Sequence, residues 1–169
     1  MYWTRDEFSA FVRGFNGSAF RLETLQVYTV ETEQENLTRF LAGEEKPPDH
    51  NERTHVRLRE LIAAGNTWQK VKLIRRPLTD YQRYSLAWGV PGNVAAGWEH
   101  RIIDVTDRKV DLPDFDFWIY DDSKVVVMRY DENGVPQGVD VVEDDNISQY
   151  HRWRDIALKE SIPFSEFRA

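Results

Sequence analysis

The sequence predicts an α+β protein in which a central mixed sheet of about five to six strands is flanked by helices. Apolar, β-branched segments of strand length recur along the second half of the chain, and segments with helical spacing of apolar residues alternate with them. The turn Asn133-Gly134 between two such strands is the strongest short-range indication of a β-hairpin. A chain of 169 residues has the length of one domain.

The predicted elements begin with a short helix, after which strands and helices alternate. Thr4 and Glu7 form a capping box, the pattern that starts a helix, and Pro47-Pro48 exclude helix from the loop at 43–53. The predicted helices span residues 4–15, 33–44, 52–65, 79–88 and 147–160. The predicted strands span residues 19–30, with a break near residue 23, and 67–76, 98–105, 116–121, 124–131 and 135–144. The glycine-rich residues 89–97 are predicted to form a connecting loop.

The loop at 43–53 also predicts how the chain is organised within its single domain of residues 1–169. We expect residues 1–50 to form an N-terminal helical appendage and residues 51–169 to form the main α/β body.

Composition excludes several classes of protein. The formal net charge is −7, so direct binding to nucleic acid, which needs a cationic surface, is not expected. The chain has no cysteine and no apolar segment near the roughly 20 residues that cross a membrane. We therefore expect a cytoplasmic protein that does not engage the membrane. No cofactor is predicted, and a metal ion is expected only under the alternative hypothesis for the acids of residues 114–121.

A basic cluster with aromatic neighbours marks a candidate site. Its members lie on two strands that are expected to be neighbours, 67–76 and 98–105, and on the helix between them. They are Lys70, Lys72, Arg75, Arg76, Tyr81, Arg83, Tyr84 and Arg101. Such a set suits a small anionic or aromatic ligand, or an acidic partner surface. Alternatively, the arginines pair with Glu99, Asp116 and Asp121 across the sheet.

The segment 112-LPDFDFWIYDD-122 places acids on a strand that otherwise has a buried composition. Alternation along the strand predicts that Phe117 and Ile119 face one layer, and Trp118 and Tyr120 the other.

Two hypotheses account for these acids. Asp114, Asp116 and Asp121 together suit a divalent cation and acid-based or metal-assisted hydrolysis. The alternative is a structural role, in which the acids are solvated or pair with Arg101 or a neighbouring arginine. The candidate binding residues are Arg75, Tyr81, Arg83, Tyr84, Glu99, Arg101, Asp116, Trp118 and Asp121.

Six short segments carry a family resemblance. They are 19-AFRLE-23, 39-RFLAGE-44, 77-PLTDYQRY-84, 92-GNVAAGWEHR-101, 112-LPDFDFWIYDD-122 and 151-HRWRD-155. Through them the whole chain resembles an actinomycete family of uncharacterised proteins, a domain of unknown function. The members of that family are often encoded beside helix-turn-helix regulators. The resemblance implies a regulator as partner and supplies no catalytic residues.

A second set of short patterns occurs between residues 67 and 164. It comprises Gly97, Glu99-His100-Arg101, Leu112-Pro113, Ile119-Tyr120-Asp121-Asp122 and Trp153. In this order the patterns resemble one half-domain of the phospholipase D-like fold, which regulators also use in a non-catalytic form. Such half-domains often pair, so the resemblance implies a homodimer.

The active phospholipase D-like family carries a His-x-Lys-x-x-x-x-Asp motif. When Asp121 is aligned with the final Asp, the His position is Asp114 and the Lys position is Asp116. A carboxylate cannot hold a phosphate as lysine does. The resemblance therefore implies that phosphodiesterase chemistry is absent and that the fold is used for binding.

The sequence thus predicts a non-catalytic module that binds a ligand or partner and is accessory to a helix-turn-helix regulator. Two alternatives stay open. One is an enzyme that uses Asp114, Asp116 and Asp121; the other is one half of a toxin–antitoxin-like pair.

Overall fold

The computed structural model describes the backbone of residues 1–169 and every side chain except that of Asp144. Its eight strands are β1 (Tyr2–Thr4), β2 (Ala19–Glu23), β3 (Trp68–Ile74), β4 (Glu99–Asp104), β5 (Phe117–Tyr120), β6 (Lys124–Tyr130), β7 (Pro136–Val141) and β8 (Ile162–Pro163). Its six α-helices are α1 (Arg5–Gly14), α2 (Gln34–Leu41), α3 (Glu52–Ala63), α4 (Asp80–Tyr84), α5 (Val90–Ala95) and α6 (Ile147–Glu160).

All eight strands form one mixed sheet in the order β1-β7-β6-β5-β2-β3-β4-β8. Strands β2, β3 and β4 run parallel, and the other neighbours are antiparallel. The predicted α+β class with a mixed sheet is confirmed, but the predicted count of five to six strands is too low. The two additional strands are β1 and β8 at the edges, which have three and two residues. Segments this short cannot show the alternation from which strands are predicted.

The boundary predicted at residue 50 does not coincide with any boundary in the sheet. Strand β2, from the first 50 residues, lies in the interior of the sheet between β5 and β3. Its parallel pairing with β3 aligns Ala19 with Trp68 and Glu23 with Lys72. The N-terminal segment therefore supplies part of the centre of the fold.

One face of the sheet is apolar and is covered by α6. Leu22, Val71 and Ile119 are almost fully buried on this face, where Trp153 and Ala157 of α6 pack against them. The helix predicted at 147–160 is confirmed with the same bounds.

The opposite face carries Trp118 and Tyr120, so the alternation predicted along β5 is confirmed. Both side chains pack in a second core with Trp68. Helix α1 closes one end of this core, where the Phe11 ring lies 5.0 Å from that of Tyr120. The capping box predicted at Thr4 starts this helix.

The loop predicted at 89–97 is instead largely helical. Helix α4 continues through a π-helical turn at Ser85–Gly89 into α5, which has Pro91 in its first turn. Proline is accepted there because the first backbone N–H groups of a helix have no partner within it. Gly89 therefore ends the π-helical turn, and Gly92 lies within α5 rather than in a loop.

Candidate ligand-binding site

Charged and polar side chains lie at the centre of the sheet face opposite α6. The strand registers align one row of four residues across β5, β2, β3 and β4: Trp118, Arg21, Lys70 and His100. A second row pairs Glu23 with Lys72. In both 19-AFRLE-23 and 68-WQKVKLI-74 the charged residues alternate with large apolar ones, so the period of two directs the charges to one face.

Glu23 is the common counter-ion of three cations. Lys70 Nζ lies 2.8 Å from Oε1 of Glu23, and Lys72 Nζ lies 2.8 Å from Oε2. Arg21 Nη1 lies 3.2 Å from Oε1. Burial alone would raise the pKa of Glu23, but the three cations outweigh it and hold this pKa well below its usual range. Glu23 is therefore ionised at neutral pH.

Asp116, the acid that alternates with two phenylalanines, is fully buried beside this cluster. Its Oδ1 accepts hydrogen bonds from the backbone N–H and the hydroxyl of Thr24, at 2.7 and 3.0 Å. Its Oδ2 accepts from Tyr28 at 2.8 Å and from Tyr130 at 3.0 Å. Arg21 Nη2 lies 3.5 Å from the same oxygen. The carboxylate is thus held in place by groups from two separate parts of the chain, residues 21–28 and Tyr130.

A cavity of about 200 Å³ lies against the charged cluster. Its charged lining residues are Arg21, Glu23, Glu33, Lys70 and Lys72. Its other polar and aromatic lining residues include Tyr28, Asn51, Tyr81, Tyr84, Asn93, His100 and Tyr130. The sheet forms one wall, while the segment 24–51 and the helices from α4 to α5 form the others.

Several hydrogen-bond donors that line this cavity have few or no acceptors among the described residues. Each lysine ammonium has three donors, and among the described residues Lys70 and Lys72 have Glu23 as their only polar partner. Within the described part of the chain, the donor Arg21 Nε is buried without a hydrogen-bond partner, and so is His100 Nε2, which donates or accepts according to the tautomer. Asn93 Oδ1 is a buried acceptor that also has no hydrogen-bond partner among the described residues. The cavity can therefore satisfy a ligand that is rich in acceptors.

Burial also changes which groups carry charge. It lowers the pKa of Lys70 to about 8, against the opposing effect of Glu23. Burial, assisted by the nearby Lys70 charge, holds the pKa of His100 well below its usual range. The imidazole of His100 is therefore neutral at neutral pH, and Lys70 has an appreciable neutral fraction.

Four residues of the sequence-predicted site belong to this region, and the buried Asp116 is one of them. Tyr81 and Tyr84 line the cavity, and the Tyr81 hydroxyl donates to Glu33 Oε2 at 2.9 Å. Trp118 lies beneath Arg21, whose guanidinium carbon is 5.0 Å from the indole centroid.

The predicted approach of Arg75, Arg83 and Arg101 to the two lysines does not occur. Arg75 lies three residues after Lys72, just beyond the end of β3, and donates to the Val105 carbonyl instead. Arg101 directly follows His100 in β4, and the side chains of a strand alternate between its faces, so Arg101 points away from the cluster.

The remaining predicted residues lie at the surface. Arg83 is exposed on α4 and pairs with Asp80. Glu99 is exposed and pairs with Arg101 at 3.3 Å, and Arg101 also donates to the Ser161 hydroxyl. Asp121 is exposed and accepts a hydrogen bond of 2.8 Å from the backbone N–H of Ser18.

The three acids of the hydrolytic alternative do not converge on one point. Asp116 precedes β5 and Asp121 follows it, so a strand segment of roughly 16 Å separates them. Asp114 is exposed, whereas Asp116 is buried and pairs with Arg21 rather than with Arg101. In the part of the chain whose side chains the structure describes, no three His, Asp or Glu residues form a group suited to a metal ion.

Sequence reasoning missed Arg21, Glu23 and His100 as site residues. The available signal was the alternation of charge with large apolar residues in β2, since a buried strand rarely carries charges without partners. The same alternation in β3 predicts buried lysines, which carry the charge opposite to that of Glu23. What sequence could not supply was the parallel pairing that brings β2 beside β3.

Fold and site together define an α+β protein with a buried, donor-rich cavity on one face of a mixed sheet. The family model described as "Domain of unknown function (DUF6879)" matches residues 6–169, and the chain belongs to this family. No curated protein and no solved structure matches the chain. The resemblance to a phospholipase D-like half-domain thus has no support from solved structures.

Among the described residues, no helix combines the length and the apolar character that crossing a membrane requires.

Proposed function

We propose that this protein is a non-catalytic binding protein that takes a small organic anion into the cavity beside Glu23. The observation that carries the proposal is the surplus of buried donors. The spare N–H groups of Lys70 and Lys72 and the Nε of Arg21 face few acceptors among the described residues. A carboxylate ligand would supply acceptors and charge together, and charge-assisted hydrogen bonds are the strong ones.

The charge balance of the buried cluster supports an anion. Arg21, Lys70 and Lys72 face two buried carboxylates, those of Glu23 and Asp116. One cation therefore exceeds the buried acids. The further acid on the cavity wall, Glu33, is only partly buried and accepts the Tyr81 hydroxyl at its edge.

The volume of the cavity limits the size of the ligand. Its volume is about 200 Å³. An engineered protein cavity of roughly 150 Å³ holds benzene, and drug-sized ligands occupy roughly 300–1,000 Å³. A short-chain or single-ring carboxylate fits these limits, and the tyrosines that line the cavity offer aromatic faces to a ring.

The proposal is tested by calorimetric titration of the protein with benzoate and with lactate. Binding of at least one of them is expected, and Arg21→Gln and Lys72→Met should each weaken it by about tenfold or more, or about 1.4 kcal/mol. Arg129→Gln is the matched control because it removes one charge from an exposed ion pair with Asp140. Equal weakening by the control would refute the proposal, as would the absence of binding by both carboxylates.

The association with a helix-turn-helix regulator, the homodimer and the toxin–antitoxin-like alternative remain predictions from family resemblance or sequence. Co-purification with the product of a neighbouring regulator gene tests the first, and light scattering tests the second. Relief of a neighbouring gene's toxicity by co-expression tests the third.

A further inference from the structure

Lys70 is placed as a reactive amine as well as a counter-ion. It is 8% exposed and its Nζ lies 4.4 Å from the centroid of the Trp98 ring. It lines the same cavity as Lys72, Arg21 and His100. An amine in such a setting, next to other cations and away from bulk water, can act as a nucleophile toward a carbonyl group.

We propose that Lys70 forms an imine with the carbonyl carbon of a small 2-oxo carboxylate bound in the cavity. This inference rests on the proposed anion binding and names the ligand class. Both lysine nitrogens lie 2.8 Å from the oxygens of one carboxylate, that of Glu23, so they are close together. One ligand can therefore contact both lysines. Lys72 and Arg21 bind its carboxylate, and Lys70 lies next to the adjacent carbonyl carbon.

The protonation state of Lys70 supports this chemistry. Burial lowers its pKa to about 8, the direction that increases the neutral amine. An exposed lysine has a pKa near 10.4, so at neutral pH the neutral fraction of Lys70 is greater by a factor of roughly a hundred or more. Arg21, Lys72, His100 and Glu23 are the charged and titratable groups around the amine.

The reaction needs no oxidant or reductant. The Lys70 nitrogen lone pair attacks the carbonyl carbon, and the carbonyl π electrons move to oxygen. Transfer of one proton from the nitrogen to that oxygen then gives a carbinolamine. The nitrogen lone pair then expels the hydroxyl, which leaves as water with the second amine proton. Lys70 and the oxo acid thus yield one imine and one water.

Pyruvate, with cyanoborohydride as the trapping reductant, tests the inference on the intact protein. Intact-mass measurement should show one reduced pyruvate unit per chain, and peptide mapping should locate it on Lys70. Labelling of Lys70 should exceed that of the exposed Lys109 by about tenfold or more, because its neutral fraction is larger. The labelling rate should rise with pH through about 8, the pKa of Lys70.

Lys70→Arg keeps the charge and removes the nucleophile, so this variant should bind lactate and lose the single label. Lys109→Arg is the matched control, because Lys109 is exposed and does not line the cavity, and it should keep the label on Lys70. Labelling confined to exposed lysines in the wild-type protein would overturn the inference, whether or not Lys70→Arg folds. Lactate has no carbonyl group for imine formation, so lactate binding without pyruvate trapping would leave the proposed function standing and reject the imine.

Discussion

The Tyr28 hydroxyl donates a 2.8 Å hydrogen bond to Oδ2 of Asp116. Asp116 immediately precedes the interior strand β5, whereas Tyr28 belongs to the 24–51 segment that forms a wall of the cavity. The bond therefore fastens that wall to the sheet. It also gives the buried acid of 112-LPDFDFWIYDD-122 a structural role.

Replacement of Tyr28 by Phe should loosen this wall. The change leaves a charged acceptor with one fewer donor, so the free energy of unfolding should fall by about 1.5–3 kcal/mol. Denaturant unfolding measures the loss, and native-state hydrogen exchange should become faster across residues 24–51.

Tyr130→Phe is the matched control for this prediction. Tyr130 donates to the same oxygen at 3.0 Å but belongs to β6. The Tyr130→Phe variant should lose a comparable free energy of unfolding, but hydrogen exchange in residues 24–51 should not become selectively faster. Identical exchange patterns in the two variants would contradict the assignment of Tyr28 as the fastening group.

Replacement of Glu23 by Gln should strongly destabilise the protein. The side chain is 7% exposed and is the counter-ion of Arg21, Lys70 and Lys72. Removal of its charge leaves buried cations uncompensated, which typically lowers stability by about 3–5 kcal/mol. Denaturant titration at neutral pH measures the difference.

Glu99→Gln provides the comparison for Glu23. Glu99 also pairs with an arginine, but its side chain is 46% exposed. Solvent screens such a pair, so a loss of less than about 1 kcal/mol is expected. A loss from Glu23→Gln as small as that from Glu99→Gln would mean that the buried cluster does not depend on its central carboxylate.

The hairpin turn at Gly134 should not accept alanine. Gly134 has φ +75°, and a Cβ there would lie 2.8 Å from the backbone oxygen of Val27. Its carbonyl accepts a hydrogen bond from the Thr29 N–H, so the turn also supports the cavity wall. Gly134→Ala should lower the unfolding free energy by about 1–3 kcal/mol because it combines strain with a backbone collision.

Gly14→Ala should have no such effect, since nothing lies within 4 Å of a Cβ at this helical position. A small stabilisation of up to about 1 kcal/mol is expected from the higher helix propensity of alanine. If the two alanine variants unfold at the same denaturant concentration, the close approach of Gly134 to Val27 is not a constraint.

His100 should make the fold less stable in acid. Its pKa is well below 6.5 in the folded protein, first because it is buried and then because Lys70 is near. The unfolded chain takes up a proton at a pKa of about 6.5, while the folded chain does not. The free energy of unfolding should therefore fall as pH decreases below about 6.5, by up to about 1.4 kcal/mol per pH unit from this residue.

Unfolding curves from pH 7 to pH 5 for wild type and His100→Gln isolate the effect of His100. Other titrating groups occur in both proteins and cancel in the difference. The variant should show the shallower decline, and parallel declines would exclude His100 as a buried neutral histidine.

The sequence was sufficient for the elements that depend on local signals. The capping box at Thr4 starts α1, the Asn133-Gly134 turn lies between β6 and β7, and the period of α6 gives its full extent. Short edge strands and the helix at 90–95 escaped prediction because their local signals are absent or point toward loops.

By itself, the sequence determined that charges alternate with apolar residues in β2 and β3, since side chains along a strand point to opposite faces. It could not determine that Arg21 would align with Lys70, and Glu23 with Lys72. Only the tertiary structure decided this, because the parallel pairing joins segments nearly 50 positions apart and no local pattern encodes such a contact. The same pairing makes Glu23, rather than Asp114 or Asp121, the central acid of the candidate site. The register of β4 on β3 aligns Arg101 with Val71 and so directs it away from the cluster.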